Sequence, residues 1–425
     1  MKNRIIAGLD LGTTKVCAAI AEATPEGVIR ILGVGVAPSE GLHKGLVANI
    51  GKTADAIRAA VNIASNRAGI TIKSVNVGVA GEHITSLRHR NYVNINHPDG
   101  EIREEDLERL NQDINTLKIP ADRQILHVIP EEFFIDHQGG IESPVGMSGS
   151  RLEAVNHIVM AAIPAIQNIR KSVERAGLDI ADYMLQPIAS SNSVLEENEK
   201  DLGVLLIDIG GGTTDIAIIH NKAIKHSKVF GIAGNQVTSD IREALGIITA
   251  EAEAIKKRYG NATVAAVMRD ETIPLQGIGA RGNTSIPVSL LAQIIEYRMR
   301  ELFSFVDNEL KNTGMKSKIK AGVVLTGGGS MLNGCTALVE EVLGLPAKVG
   351  VPLSQYTGNF RDIEKPEFAT AVGLLQSFNE LKNRTKRHEY GKPNVVKKKS
   401  SSNRTSGEGM VTKLINTVKD FIKDL

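Results

Sequence analysis

With only two cysteines in 425 residues, Cys17 and Cys335, the chain cannot build a cysteine metal cluster. Both stand near apolar segments and read as buried, reduced thiols. Its ten histidines show no ligand spacing such as HExxH and read as scattered surface or core residues. No run of eighteen apolar residues occurs, so no bilayer-spanning helix is expected. Asp10 and Lys15 interrupt any apolar leader, so no signal peptide is expected and the protein is placed in the cytoplasm. A net charge of +2 gives no reason to expect a nucleic-acid partner. The remaining composition, 42% hydrophobic and 23% charged, is that of an ordinary globular protein with room for two or three cores.

The informative stretch is Leu205-Leu206-Ile207-Asp208-Ile209-Gly210-Gly211-Gly212-Thr213-Thr214-Asp215-Ile216-Ala217-Ile218-Ile219. Two apolar runs of strand length flank a glycine turn bounded by aspartates, which predicts a β-hairpin. Glycines at its tip let bare backbone N–H groups approach an anion, and two Thr hydroxyls stand beside them. An aspartate ending a buried strand is costly unless it meets a metal or ordered water. Magnesium beside a triphosphate meets that need. The N-terminus repeats the pattern in Ile5-Ile6-Ala7-Gly8-Leu9-Asp10-Leu11-Gly12-Thr13-Thr14-Lys15-Val16. Two copies predict two related subdomains, each presenting a hairpin to the same phosphates. A third cluster, Leu325-Thr326-Gly327-Gly328-Gly329-Ser330-Met331, follows an apolar strand and precedes a helical stretch, where a nucleoside can be accepted. Neither the GxGxxG nor the GxxxxGK[ST] pattern fits these loops.

Around these motifs the pattern alternates. Thr53 to Ala68 reads as an amphipathic helix ended by Gly69. Glu101 to Leu117 reads as an acidic, solvent-facing helix, and strands are expected at Gln124–Ile129 and Glu132–Asp136. A helix from Pro164 stops at Gly177, and Gln186 opens the next. Gly234 and Asn235 precede a helix whose N-terminus would face the phosphates. Thr249 is the expected cap of a helix on which Glu253 and Lys256, three apart, share one face; a simple surface ion pair is the competing reading. Residues 382–408 hold nine Lys or Arg, two Glu and almost no large apolar residue, the composition of a flexible linker. After it, Val411, Leu414, Ile415, Val418, Phe421, Ile422 and Leu425 form one helical stripe bordered by Lys413 and Lys419. Such a helix is about 24 Å long. Packing on the protein body is the usual fate of an amphipathic stripe, but the preceding basic linker favours lying in an anionic membrane interface.

These motifs, in this order, resemble the actin, Hsp70 and sugar-kinase superfamily, whose fold is a duplicated α/β, ribonuclease H-like architecture. Leu185-Gln186-Pro187-Ile188-Ala189-Ser190 resembles its first connecting helix, and Pro366-Glu367-Phe368-Ala369-Thr370-Ala371-Val372-Gly373 its second. The segment Pro144-Val145-Gly146-Met147-Ser148-Gly149 narrows the resemblance to the FtsA family of bacterial cell-division proteins, with Ser143 where that family commonly has Asp. The resemblance implies subdomain 1A from residues 1–84, 162–198 and 366–381, and an inserted subdomain 1C at 85–161. It implies subdomain 2A from 199–227 and 301–365, and 2B at 228–300, before the linker and the membrane helix at 409–425.

It further implies ATP and Mg²⁺ as ligands. Asp10 and Asp208 would hold the metal through water, with Gly12, Thr13, Thr14 and Lys15 on one side of the phosphates and Gly210, Gly211, Gly212, Thr213 and Thr214 on the other. Gly234, Asn235, Glu253, Lys256, Gly327, Gly328, Gly329 and Met331 would take the nucleoside side of the site. Gln186, Asp208 and Asp215 are the residues available for hydrolysis, with Gln186 either orienting water or serving only as a helix-terminal polar group. Slow hydrolysis and ATP as a conformational ligand both fit. The implied role is to polymerise on the cytoplasmic face of the cell membrane at the division site, tether FtsZ filaments there and recruit later division proteins. An actin-like pilus-assembly protein and a small-molecule kinase of the superfamily are the alternatives.

Overall fold

The computed structural model describes residues 3–24, 28–276, 282–353, 356–357 and 363–376. The basic linker, the C-terminal helix and every membrane residue expected on it lie outside the described residues.

The first half opens with β1 (Arg4–Leu11), β2 (Lys15–Ala23) and β3 (Ile29–Pro38), an antiparallel meander. A two-residue pair, β4 (Leu42–His43) and β5 (Leu46–Val47), leads into α1 (Ile50–Ala68). The side chain of Asn49 caps α1 by accepting from Lys52 N at 3.0 Å, and Gly69 ends it in the left-handed region. This helix lies close on β3: a Cβ at Gly35 would stand 2.0 Å from Ala60 O. The buried stripe of Ala54, Ile57, Ala60, Val61 and Ala64 is thereby sealed against the sheet, with a large side chain such as Ile57 contributing about 1.5–3 kcal/mol. The strand β6 (Ser74–Val79) then joins β1 in parallel.

A separate four-stranded sheet follows. It comprises β7 (Ile84–Asn94), then α2 (Glu104–Ile114), β8 (Arg123–Ile135), β9 (Gln138–Ile141) and β10 (Arg151–Ala162), in the order β7-β10-β8-β9. The expectation of a solvent-facing acidic helix here holds for one side only. Leu107, Leu110 and Ile114 pack on the sheet, and Asp106 is fully buried, accepting from Arg103 N at 2.8 Å and Arg109 Nη2 at 2.7 Å. The two strands expected at 124–136 are one strand, bulged at Pro130–Glu131, where the register against Val155 and Asn156 slips by one. Pro130 lacks the N–H for a regular ladder, and the extra residue, Glu131, pairs with Arg88 at 3.0 Å. The Gly146–Gly149 segment pairs with the loop that leads into α2, through Gly146 N to Ile102 O and Gly149 N to Gly100 O.

The chain then re-enters the first half through α3 (Ile163–Arg175), β11 (Asp179–Leu185) and α4 (Gln186–Val194). After α5 (Glu197–Leu202), the second half repeats the first: β12 (Val204–Ile209), β13 (Thr214–His220) and β14 (Ala223–Phe230) form an antiparallel meander. Next come α6 (Gly234–Leu245) and α7 (Thr249–Tyr259), whose cap residue is Ile248 and not Thr249. A short hairpin of β15 (Thr272–Leu275) and β16 (Thr284–Pro287) precedes α8 (Val288–Thr313). The strand β17 (Gly322–Thr326), α9 (Cys335–Leu343) and β18 (Ala347–Val349) complete the second sheet, and β19 (Tyr356–Thr357) pairs with β3.

The two sheets run β11-β6-β1-β2-β3-β19 and β14-β13-β12-β17-β18. In each, an antiparallel trio carries two further parallel strands beside its first member, the internal duplication that the paired glycine hairpins predict. The boundaries expected at 227 and 300 fall inside β14 and α8 respectively. The inserted sheet also touches the second half: Ser86 Oγ donates to Ser227 O at 3.2 Å, His157 and Ser227 Oγ meet at 3.0 Å, and Lys225 Nζ donates to Glu131 O at 2.9 Å.

Candidate functional site

Both glycine motifs form hairpin tips, between β1 and β2 and between β12 and β13, and the tips touch. A Cβ at Gly211 would lie 2.3 Å from Thr14 Cγ2, and one at Gly212 2.3 Å from Thr13 Oγ1. Only bare backbone lets the tips approach this closely. Gly12 is equally restricted, its Cβ position being 2.6 Å from Lys15 O.

Two buried carboxylates, Asp10 and Asp215, and the half-buried Asp208 stand behind the tips. Asp10 is opposite Cys17 in its ladder, and Asp208 is directly opposite Asp215. Burial pushes Asp10 up to about 7, an effect the Lys15 charge opposes and the Asp208 charge reinforces. Burial also raises Asp208, against hydrogen bonds from Ser190 and Thr370. Asp215 is raised well above its ordinary range, by burial and then by Asp208, and its Oδ1 is buried with no hydrogen-bond partner among the described residues. Its other oxygen accepts from Thr213 Oγ1 at 3.1 Å. Three acids crowded in a dry site favour a cation.

The structure brings the expected residues to this place in different roles. Gln186, the first residue of α4, donates from Nε2 to Asp10 Oδ1 at 2.9 Å. Lys15 Nζ reaches Glu367 Oε2 at 2.7 Å and lies 4.3 Å from the Phe368 ring centre. Thr214 Oγ1 donates to Ile232 O at 2.7 Å. The N–H groups of Gly234 and Asn235 are donated to Gly210 O and Gly211 O, at 3.1 and 2.7 Å, so this helix start is stitched to the second tip. Glu253 and Lys256 pair at 2.6 Å, and Lys256 Nζ also donates to Gly234 O at 3.0 Å. Burial pushes Glu253 up, but hydrogen bonds from Lys256 and Thr238 outweigh it and hold it below the usual carboxylate range. The pair is therefore no loose surface contact. Gly327, with φ of 78°, fits against Asp208, while Gly328 faces open space and Met331 is half exposed in the turn that follows.

Sequence reading had missed Ser190, Thr370 and Glu367 as members of the site. Ser190 Oγ donates to Asp208 Oδ2 at 2.7 Å, and Thr370 Oγ1 stands 3.3 Å from the same oxygen. The available signal was spacing: Ser190 is one helical turn after Gln186.

Comparison with known proteins decides the family. A profile described as Cell division protein FtsA matches residues 205–373, and one described as SHS2 domain inserted in FTSA matches residues 81–160. The curated Cell division protein FtsA of Pseudomonas aeruginosa is 44% identical over 373 residues, covering 88% of this chain and 89% of that protein. That of Escherichia coli K12 is 37% identical over 407 residues, covering 94% and 95%.

This chain belongs to the FtsA family.

Solved structures show the same fold at low identity. The PilM-PilN type IV pilus biogenesis complex superposes with a TM-score of 0.62 at 18% identity, covering 87% of this chain and 97% of that one. MreB5 of Spiroplasma citri bound to ADP gives 0.56 at 15% identity, covering 91% and 99%. The actin-like architecture with an FtsA-type insert is thus that of this family member, and its class is a cell-division protein.

Proposed function

We propose that this FtsA-family protein binds ATP with Mg²⁺ between its two hairpin tips, polymerises on the cytoplasmic face of the cell membrane at the division site, and tethers FtsZ filaments there while later division proteins are recruited. The observation that carries the nucleotide reading is the pair of glycine tips meeting in front of Asp10, Asp208 and Asp215. The residues fit the group. The orphan Asp215 Oδ1 and the raised carboxylates call for positive charge, and the glycine tips carry backbone N–H groups of the kind that hold an anion. In this reading magnesium is held through its own waters. Bound, Mg²⁺ would neutralise phosphate charge; Asp10 and Asp208 would hold it, and the Thr13, Thr14, Thr213 and Thr214 stretch would face the phosphates. The tips must part to admit a triphosphate, so binding and the angle between the two halves are linked.

MreB5 of Spiroplasma citri has been solved with ADP and with AMPPNP, and MamK as a double helical filament, on this same fold. They support nucleotide binding and filament formation here. No helix among the described residues is long and apolar enough to cross a membrane. The amphipathic stripe from Val411 to Leu425 supplies the anchor in this reading. One such helix binds weakly, and polymerisation multiplies it through effective concentration. Hydrolysis, if it occurs, falls to Gln186, Asp208 and Asp215, and slow turnover or ATP as a conformational ligand both serve the tether.

The test is co-sedimentation of the full chain with ATP and liposomes containing anionic lipid, beside a chain ending at Ser406. Pelleting of the full chain alone is expected. Equal pelleting of both, or of neither, overturns the membrane anchor.

A further inference from the structure

Helix α4 touches both hairpins at once. Gln186 and Ser190 are four residues apart, hence on one face. Gln186 Nε2 donates to Asp10 in the first half at 2.9 Å, and Ser190 Oγ donates to Asp208 in the second half at 2.7 Å. The second connecting helix closes the arrangement: Thr370 Oγ1 is 2.9 Å from Ser190 Oγ and 3.3 Å from Asp208 Oδ2. Ser193 Oγ, donating to Ala369 O at 2.6 Å, ties the two helices again one turn later. Ser190 and Ser193 are fully buried and Thr370 nearly so, which places these hydroxyls in a dry environment where each hydrogen bond fixes its partner firmly. The backbones themselves are in contact, because a Cβ at Gly373 would fall 1.8 Å from Ala189 O.

We propose that α4 is a two-point spacer, with Gln186 and Ser190 holding Asp10 and Asp208 at a set separation and Thr370 securing Asp208 from the second connecting helix, so that the two carboxylates are positioned together for a hydrated divalent cation on a nucleotide. Ser190 and Thr370 are positioning residues: they act through Asp208. Because the two bonds end on different halves, they limit how far one carboxylate moves relative to the other when the tips part.

The proposal rests on the ATP and Mg²⁺ reading, and the experiment separates the two. Binding of a fluorescent ATP analogue to the full chain is titrated against Mg²⁺ and repeated in chelator, for the wild type, Ser190→Ala, Thr370→Val and Thr370→Ser. Removing a hydroxyl that orients a cation-binding carboxylate is expected to raise the Mg²⁺ concentration at half-saturation about tenfold. Binding in chelator should stay within about twofold, and Thr370→Ser, which keeps the hydroxyl, should restore the wild-type Mg²⁺ dependence. Because both hydroxyls serve one oxygen, the double variant should lose less than the product of the single losses. Equal loss with and without Mg²⁺, an unchanged Mg²⁺ midpoint, or failure of Thr370→Ser to rescue overturns the spacer. Absence of analogue binding by the wild type would overturn the nucleotide reading instead.

Discussion

Asp10 is a carboxylate held where its charge is poorly solvated. Burial lifts it from its ordinary range to about 7, so between pH 4 and pH 7 the folded chain holds more protons at this position than the unfolded chain. Stability from this group is therefore greatest at the acid end of that window and falls as the pH rises through it, by a few kcal/mol at most. Asp10→Asn should flatten that fall in denaturant titrations of the nucleotide-free protein and should abolish the Mg²⁺-dependent part of ATP binding. A variant as pH-sensitive as the wild type across this window would refute the assignment. The lone thiols behave as their apolar settings predict: Cys17 and Cys335 are both buried, and burial pushes each up to about 12.

At the scale of elements, the inserted sheet is joined to its surroundings by histidines. His127, on β8, accepts from Leu185 N at 3.0 Å at the start of α4. His157, on β10, meets Ser227 of β14. His83 precedes β7 and is nearly buried. Burial pushes all three down to about 4, with Arg123 adding to the effect at His83, and His226 and His127 at His157. Each is neutral in the fold and protonates more readily when unfolded, so stability is complete above about pH 6.5 and is lost as pH falls toward 4. His157→Gln, which keeps a partner for Ser227, should make that loss shallower in chemical denaturation at stepped pH. An unaltered slope would show that this ring does not carry the effect. Here the pattern of charges misled: α2 presents acids to solvent and hides Asp106 with three apolar residues on its other side, and no periodicity of charge reports which acid is buried.

For the whole molecule, the decisive relation is between halves far apart in the chain. The tips meet at Thr14 and Gly211, where a Cβ on the glycine would stand 3.2 Å from that of the threonine. Thr14→Cys with Gly211→Cys should cross-link under mild oxidation after a small adjustment, since disulfides need about 3.5–4.5 Å between Cβ atoms. The oxidised double variant should bind ATP more weakly than the same variant reduced; equal binding by the two forms would place the phosphates elsewhere. Such a test leaves Cys17 and Cys335 undisturbed, both being buried. Much of this molecule was determined by the sequence itself: strand-length apolar runs around Asp-x-Gly turns specify two hairpins and their repetition specifies a duplicated fold, because each depends on short-range backbone geometry, whereas the Pro144–Gly149 segment marks the insert only through its resemblance to the family. What only the tertiary structure decided is which groups share a carboxylate. Ser190 and Thr370 are separated from each other by most of the second half, and Glu367 lies at the opposite end of the chain from Lys15. Chain connectivity carries no information about such pairs; they are set by where two connecting helices cross, at a glycine that admits nothing larger.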